Sequence, residues 1–370
     1  MKYLFLAFLL SLCLLSQAQH NKQTQNIFII TIDGLRWQEV FKGANTALLS
    51  NSMYVQDTAL VKDLYADTSA ELSRKKLMPF FWNIIAKKGQ LYGNRDYDNK
   101  MNVSNFYKIS YPGYNEILTG YADRRFIPNS KKNNRNINVL EYLNALDDYK
   151  GQVVAFASWN VFPYILNESR SNFSVNGGYE SLPEDNDSSN IIINSVQDSI
   201  SNKSNTRYDM LTWLAAKEYI NKHHPKIMML GLGETDKFAH ECKYDMYLQQ
   251  ITSIDNMIAE LWYMVQTDPF YKDNTTFIIT TDHGRGRKSN SWYKHHLFVK
   301  GSGEVWMALL GAGITSSGEI KTTQQIYLKQ IAATVAMLLG EDFKSNHETG
   351  TAISLPAGYH NQNSSTVLIK

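Results

Sequence analysis

Phe277-Ile278-Ile279-Thr280-Thr281-Asp282-His283-Gly284 is the stretch on which the rest of the chain turns. It opens as a short apolar, β-branched run, the composition of a parallel strand buried on both faces. It stops at a carboxylate, an imidazole and a glycine. In open α/β sheets ligands gather beyond the carboxyl ends of the strands, which puts Asp282 and His283 at the mouth of an expected site. Both residue types ligate borderline cations such as zinc. A single Asp-His-Gly is also what an ordinary strand-to-loop turn looks like, so the reading depends on whether other strands end the same way.

They do. Asn26 to Ile32 is a second apolar run, and it ends at Asp33-Gly34. Lys226 to Leu232 is a third, running into Gly233-Glu234-Thr235-Asp236-Lys237-Phe238-Ala239-His240. The Asp236-x-x-x-His240 spacing places both side chains on one side of a helical turn. Between these strands, Thr68 to Lys88, Asn138 to Leu146, Arg207 to Lys222 and Met246 to Val265 read as helices, with Pro79 kinking or delaying the first. Gln152 to Ser158 and Glu304 to Leu310 read as further strands, and a helix carrying Ile326, Ile331, Val335 and Leu339 closes the domain. Alternation of this kind predicts an α/β fold: a mostly parallel central sheet with helices on both faces, a three-layer sandwich. The Ser-, Asn- and Asp-rich segment 181–206 reads as an exposed insertion.

With 370 residues, 43% of them hydrophobic and 19% charged, the chain can build a sizeable core, and its net charge of +2 offers no field for nucleic acid. Lys2, the apolar stretch Tyr3 to Leu15 and Ser16-Gln17-Ala18 predict a signal peptide over 1–18, leaving 19–370 as a single catalytic domain. The protein is then exported, periplasmic or secreted, with no membrane span once the signal is cleaved. Cys242 is the cysteine that remains, so no intramolecular disulfide forms.

Ser110-Tyr111-Pro112-Gly113 reads as a loop leading into a helix from Tyr114 to Thr119, closed by Gly120. A hydroxyl just ahead of a helix start is commonly a cap. The alternative is a nucleophile whose alkoxide is stabilised by metal and helix N-terminal amides.

Taken in order, Ile30-Thr31-Ile32-Asp33-Gly34, Ser110-Tyr111-Pro112 through Leu118-Thr119-Gly120, Asp236-x-x-x-His240, Thr281-Asp282-His283-Gly284 and His295 with Glu304-Val305-Trp306 downstream resemble the alkaline phosphatase superfamily. The nearest resemblance is to its nucleotide pyrophosphatase/phosphodiesterase branch. That resemblance implies two divalent ions, zinc foremost: one held by Asp236, His240 and His295, the other by Asp33, Asp282 and His283. It makes Ser110 the nucleophile of a covalent phosphoserine intermediate and puts Asn129 on a phosphoryl oxygen. Trp159, Arg285 and Lys294 are candidate contacts to a small-molecule phosphate ester, with diester or nucleotide-type substrates favoured over monoesters.

The chain also departs from the branch. Serine stands where threonine is usual, and His296 where glycine is common, which leaves His295 and His296 competing for one ligand position. Tyr114 occupies the fifth position of Ser-x-Pro-x-Tyr, where sulfatases of the superfamily carry arginine. An alkaline-phosphatase-like monoesterase is the runner-up. A sulfatase or phosphonate hydrolase relative and an inactive binding protein come behind it.

Overall fold

A computed structural model describes residues 24–125, 127–184 and 187–356. The expected signal peptide lies outside the described residues. The strands are β1 (Asn26–Ile32), β2 (Gln90–Tyr92), β3 (Asn99–Asn102), β4 (Val153–Ala157), β5 (Ser174–Gly177), β6 (Ile227–Leu232), β7 (Thr275–Thr280), β8 (Glu304–Val305), β9 (Met307–Gly311), β10 (Gly318–Glu319) and β11 (Gln324–Tyr327). One 8-stranded sheet has the order β10-β2-β9-β7-β1-β6-β4-β5, and β11-β3-β8 form a second, small sheet. From β7 to β5 the strands are mutually parallel, while β9 runs antiparallel between β7 and β2.

The three acid-terminated runs are neighbours, with β1 in the middle. Ile32 pairs with Leu232 and Thr31 with Thr280, so all three chains leave the sheet at one level. Every residue of β1 is buried, which is why its sequence shows no polar alternation. Successive side chains still point to opposite faces. Phe28, Ile30 and Ile32 join a core with Trp213, Ile251, Ile254 and Leu261 from the helices Asp209–His223 and Tyr244–Thr267. Ile27 and Ile29 join the opposite core with Ile117, Leu140, Ile331 and Val335, from the helices Ser110–Thr119, Val139–Asn144 and Ile331–Leu338. Truncating such a buried isoleucine to alanine costs about 2–5 kcal/mol.

Some elements differ from their sequence reading. The expected helix over 68–88 is regular from Ala70 to Leu77, breaks at Met78 just ahead of Pro79 and resumes into a π-helical turn over Phe81–Ile85. Proline cannot donate, and the N–H groups of Phe80 and Phe81 turn instead to the Asp255 carboxylate at 2.7 and 2.9 Å. The run 304–310 splits at Trp306 between the two sheets, and Ile326 belongs to β11 rather than to the closing helix. Within 181–206 lies a helix, Ser188–Ser199, that buries Ile193, Asn194 and Gln197 and leaves Ile191 and Ile192 exposed. Among the described residues, no helix is long and apolar enough to cross a membrane.

Candidate metal centre

The turns beyond β1, β6 and β7 converge because the strands end together. Gly34 follows Asp33 with φ +61, and a Cβ there would meet the Arg285 guanidinium at 2.8 Å and Asp236 Oδ1 at 3.0 Å. Only glycine combines that backbone conformation with so close an approach. Across the site, a Cβ on Gly113 would lie 2.3 Å from the Asp282 carbonyl oxygen, so glycine lets the Ser110–Thr119 helix press against the turn after β7.

Ser110 is the first residue of that helix rather than part of a loop ahead of it, and Ile109 precedes it as cap residue with no side-chain bond. The capping reading of Ser110 is therefore set aside. Its hydroxyl faces His283 Nε2 at 3.3 Å. It is Asn129 that accepts the Tyr111 N–H, through Oδ1 at 2.9 Å.

The donor atoms form a continuous set. His283 Nε2 lies 3.4 Å from Asp33 Oδ1, 3.4 Å from Asp282 Oδ2 and 3.8 Å from Asp236 Oδ1. His240 Nε2 is 3.2 Å from Asp236 Oδ2 and 3.0 Å from His295 Nε2. Asp236, His240 and His295 form one group, and Asp33, Asp236 and His283 another, with the atoms in each all within 4.8 Å of one another. Asp236 is thus shared between the groups, whereas the resemblance gave it to one ion. Asp33, Asp282 and His283 are buried, while the His240 side chain is 52% exposed, so one group is sealed and the other faces the opening.

Backbone carbonyls set the imidazole tautomers. A carbonyl oxygen can only accept, so His283 Nδ1–H donates to Gly284 O at 3.0 Å and His295 Nδ1–H to Lys108 O at 3.2 Å. Both Nε2 lone pairs are left for the site, the orienting arrangement common around metal-bound histidine. His296 points elsewhere: its Nδ1 accepts the Phe298 N–H at 3.1 Å.

Burial, reinforced by neighbouring Asp282, pushes Asp33 up to about 7. Burial does the same to Asp282, against the Gly34 N–H bond to its Oδ1 at 3.0 Å. Burial pushes His283 and His240 down, and drives His295 well down with help from His283 and Arg285. Neutral imidazoles thus face reluctant carboxylates. Asp33 Oδ1 and Asp282 Oδ2 are buried with no hydrogen-bond partner. Such orphaned acceptors are costly unless something positive satisfies them. Divalent cations would do so, and would reverse the pKa trend that burial imposes. The residues fit bound metal, with Asp236 rather than Asp282 grouped with Asp33 and His283.

The candidate substrate contacts fall differently. Arg285 is fully buried and committed: it pairs with Asp236 Oδ1 and donates to Gly34 O at 3.1 Å and Tyr293 O at 2.8 Å. As a substrate contact it is corrected to a buried strut between the β1 turn and Asp236. Lys294 is exposed, its ammonium 5.2 Å from the Tyr293 ring. Trp159 is half-buried beyond β4, in a bridge with Thr206. Tyr111, Tyr114 and Phe162 are core, although the Tyr114 hydroxyl bonds Asp33 Oδ2 at 3.1 Å. Residue-level reading missed Lys108, whose carbonyl orients His295 from a backbone with φ 54, and Asp209, which bonds the turn after β6. No local pattern in the sequence marks either.

The family model described as the Metalloenzyme superfamily matches residues 170–342, the span that contains Asp236, His240, Asp282, His283 and His295. Among solved structures the chain is similar to a variant of the alkaline phosphatase PafA, 11% identical, with 90% of this chain and 98% of that one covered at a TM-score of 0.58. The fold is alkaline-phosphatase-like. The same fold relates the chain to the lipoteichoic acid synthase LtaP from Listeria monocytogenes, 11% identical over 88% of this chain and 75% of that one, TM-score 0.55. An inactive variant of murine ectonucleotide pyrophosphatase/phosphodiesterase 5 in complex with AMP is 12% identical over 88% and 97%, TM-score 0.50. No curated protein matches in sequence. At the level of the fold, the resemblance read from the sequence holds.

Proposed function

We propose that this chain is an exported two-metal phosphoesterase that works through a covalent phosphoserine on Ser110 and favours phosphodiester or nucleotide-type substrates. The observation that carries the reading is Ser110 Oγ, freed from capping and 3.3 Å from His283 Nε2, beside buried carboxylate oxygens that lack partners. Two divalent cations, zinc foremost, held by Asp33, Asp282 and His283 and by Asp236, His240 and His295, would supply the Lewis-acid charge that makes a serine hydroxyl a usable nucleophile near neutral pH.

The protein's own groups supply position. Tyr114 and the Gly34 N–H each hold one oxygen of Asp33 and Asp282, leaving the other oxygen of each carboxylate for the site. Ser110 Oγ forms the bond to phosphorus as the leaving oxygen departs opposite it. Water then cleaves the serine–phosphorus bond, regenerating the hydroxyl and releasing phosphate or its remaining monoester. With its amide oxygen given to Tyr111 N–H, Asn129 has its NH2 group left to hold a phosphoryl oxygen beside Ser110.

The diester preference is supported by the commitment of Arg285. A monoester dianion carries an extra charged oxygen and gains from a cation aimed at it, and this guanidinium is spent on Asp236 and two carbonyls. A sulfatase is the poorer fit, because Tyr114 stands in place of that motif's arginine and its hydroxyl is bound to Asp33. The test is the ratio of catalytic efficiencies on a bis-aryl phosphate and the matched aryl phosphate, with zinc added. A ratio above one is expected; strong preference for the monoester removes the diester reading, and turnover of neither removes the phosphoesterase.

A further inference from the structure

Asp209 opens the helix Asp209–His223 and is fully buried, outside every motif that singled out the site. Its Oδ1 accepts the Ser158 hydroxyl at 2.6 Å and the Gly233 N–H at 2.8 Å. Its Oδ2 accepts the Glu234 N–H at 3.1 Å and the Gln250 amide at 2.8 Å. In return, the Asp209 N–H donates to Glu234 Oε2 at 2.8 Å. The two helix starts are therefore tied to each other in both directions. Nearby Arg207 does not pair with this carboxylate; its guanidinium donates to Thr212, Asn176 and Gln197.

Burying an ion without a counter-ion is expensive, and apolar packing would join two helices at less cost. What the carboxylate adds is geometric. Gly233 and Glu234 form the turn that leaves β6, and the helix Glu234–His240 that they start carries Asp236 and His240. From the other side, Thr235 Oγ1 donates to the Asp33 carbonyl at 2.6 Å, fixing the same turn against β1. The height and rotation of one short helix, and hence of both its candidate ligands, are set by these bonds.

We propose that Asp209 is a positioning residue for the metal centre: its carboxylate holds the β6 turn so that Asp236 and His240 meet His295 around one ion. The inference rests on the metal-binding reading above. An amide cannot replace the carboxylate. Asparagine must turn its NH2 toward one of the two donor pairs; Ser158 and Gln250 can reorient, but the N–H of Gly233 or of Glu234 then loses its acceptor.

The test is zinc affinity of the mature protein, by competition with a chromophoric chelator, together with the rise in melting temperature that zinc produces over the EDTA-treated protein. Asp209→Asn is expected to bind zinc about 10- to 100-fold more weakly, the range for lost outer-shell support. Its zinc-induced rise in melting temperature should shrink, beyond whatever the lost backbone bond takes from the EDTA-treated protein. Glu234→Ala, a milder cut of the other half of the clamp, should shift affinity the same way and serves if Asp209→Asn does not fold. Gln250→Ala leaves both backbone bonds in place and should keep wild-type affinity. Wild-type zinc affinity in Asp209→Asn and Glu234→Ala overturns the positioning role and leaves the metal reading standing. A wild-type protein that binds no divalent ion overturns both.

Discussion

His240 Nε2 and His295 Nε2 lie 3.0 Å apart, although the residues are separated by 55 positions and sit on different elements. Two imidazole nitrogens cannot both keep a proton at that distance, and the rings are tilted by 57° to each other. With His295 Nδ1–H given to the Lys108 carbonyl, its Nε2 carries a lone pair. Convergence of that lone pair on His240 and Asp236 is the arrangement of an ion-binding group. Removing metal should therefore remove function and stability together. Chelation is expected to abolish turnover and lower the melting temperature, and zinc to restore both; an ion at 100 times its dissociation constant stabilises by about 2.7 kcal/mol. Full activity after exhaustive chelation would refute the assignment.

Ser110→Ala should reduce turnover by at least about a thousandfold, because the covalent step is lost, while metal content stays near the wild-type value. Ser110→Thr should keep measurable activity, since its hydroxyl can reach the same place. Metal analysis and single-turnover kinetics on both variants check this. An alanine variant that keeps most activity means that Ser110 only packs.

His295→Ala should release one of about two ions expected from the two-metal reading, and His296→Ala should release none, because the His296 Nδ1 accepts the Phe298 N–H away from the site. Inductively coupled plasma measurement of zinc per chain decides between them. Loss on the His296 variant alone would move the ligand by one residue.

In the metal-free protein, the stability contributed by Asp33 and Asp282 should fall as pH rises. Asp33 and Asp282 titrate near an ordinary 3.8 when unfolded but are pushed up to about 7 by burial in the fold. Between those values these two carboxyls hold more protons folded than unfolded, so the stability they contribute is fully present below about 4, falls toward 7 and then levels. His240, His283 and His295, pushed down by burial, act in the opposite direction. The urea midpoint of the unsubstituted protein in EDTA, taken relative to that of Asp282→Asn, should fall from pH 4 to 8. A difference between the two proteins that does not change with pH means that the carboxylates are not held in this way.

Arg285→Ala should act on stability and metal binding rather than on KM. Breaking a buried ion pair by removing one partner costs about 3–5 kcal/mol, and here it also frees Gly34 O and Tyr293 O. The expected result is a lowered melting temperature and weakened zinc, with KM for a bis-aryl phosphate little changed in the zinc-saturated variant. A large rise in KM with stability intact would return Arg285 to the substrate.

By itself the sequence determined the central parallel strands β1, β4, β6 and β7, the mostly parallel α/β architecture and the set of polar residues at strand ends, but not the short strands β2, β3, β5, β10 and β11. Buried parallel strands are continuous apolar runs, and the residues just past the end of such a run must lie at one edge of the sheet. Asp33, Asp236 and Asp282 could be picked out for that reason alone, and the order of the motifs supplied the resemblance to the superfamily. Local pattern was a poorer guide where an element depended on a distant partner. The run through Glu304 and Leu310 divides because Met307–Gly311 pairs antiparallel with β7 while Glu304–Val305 pairs with β3.

Only the tertiary structure decided which group does what at the site. His295 is oriented from Lys108, 187 positions away, and Arg285 is claimed by Asp236, 49 positions away. Asp236 lies between both ligand groups, and Asp209 holds the turn that presents it. Each of these depends on which hydrogen-bond partner arrives once the chain has packed. The strength and direction of such bonds are set by distance and burial, quantities that residue order does not contain.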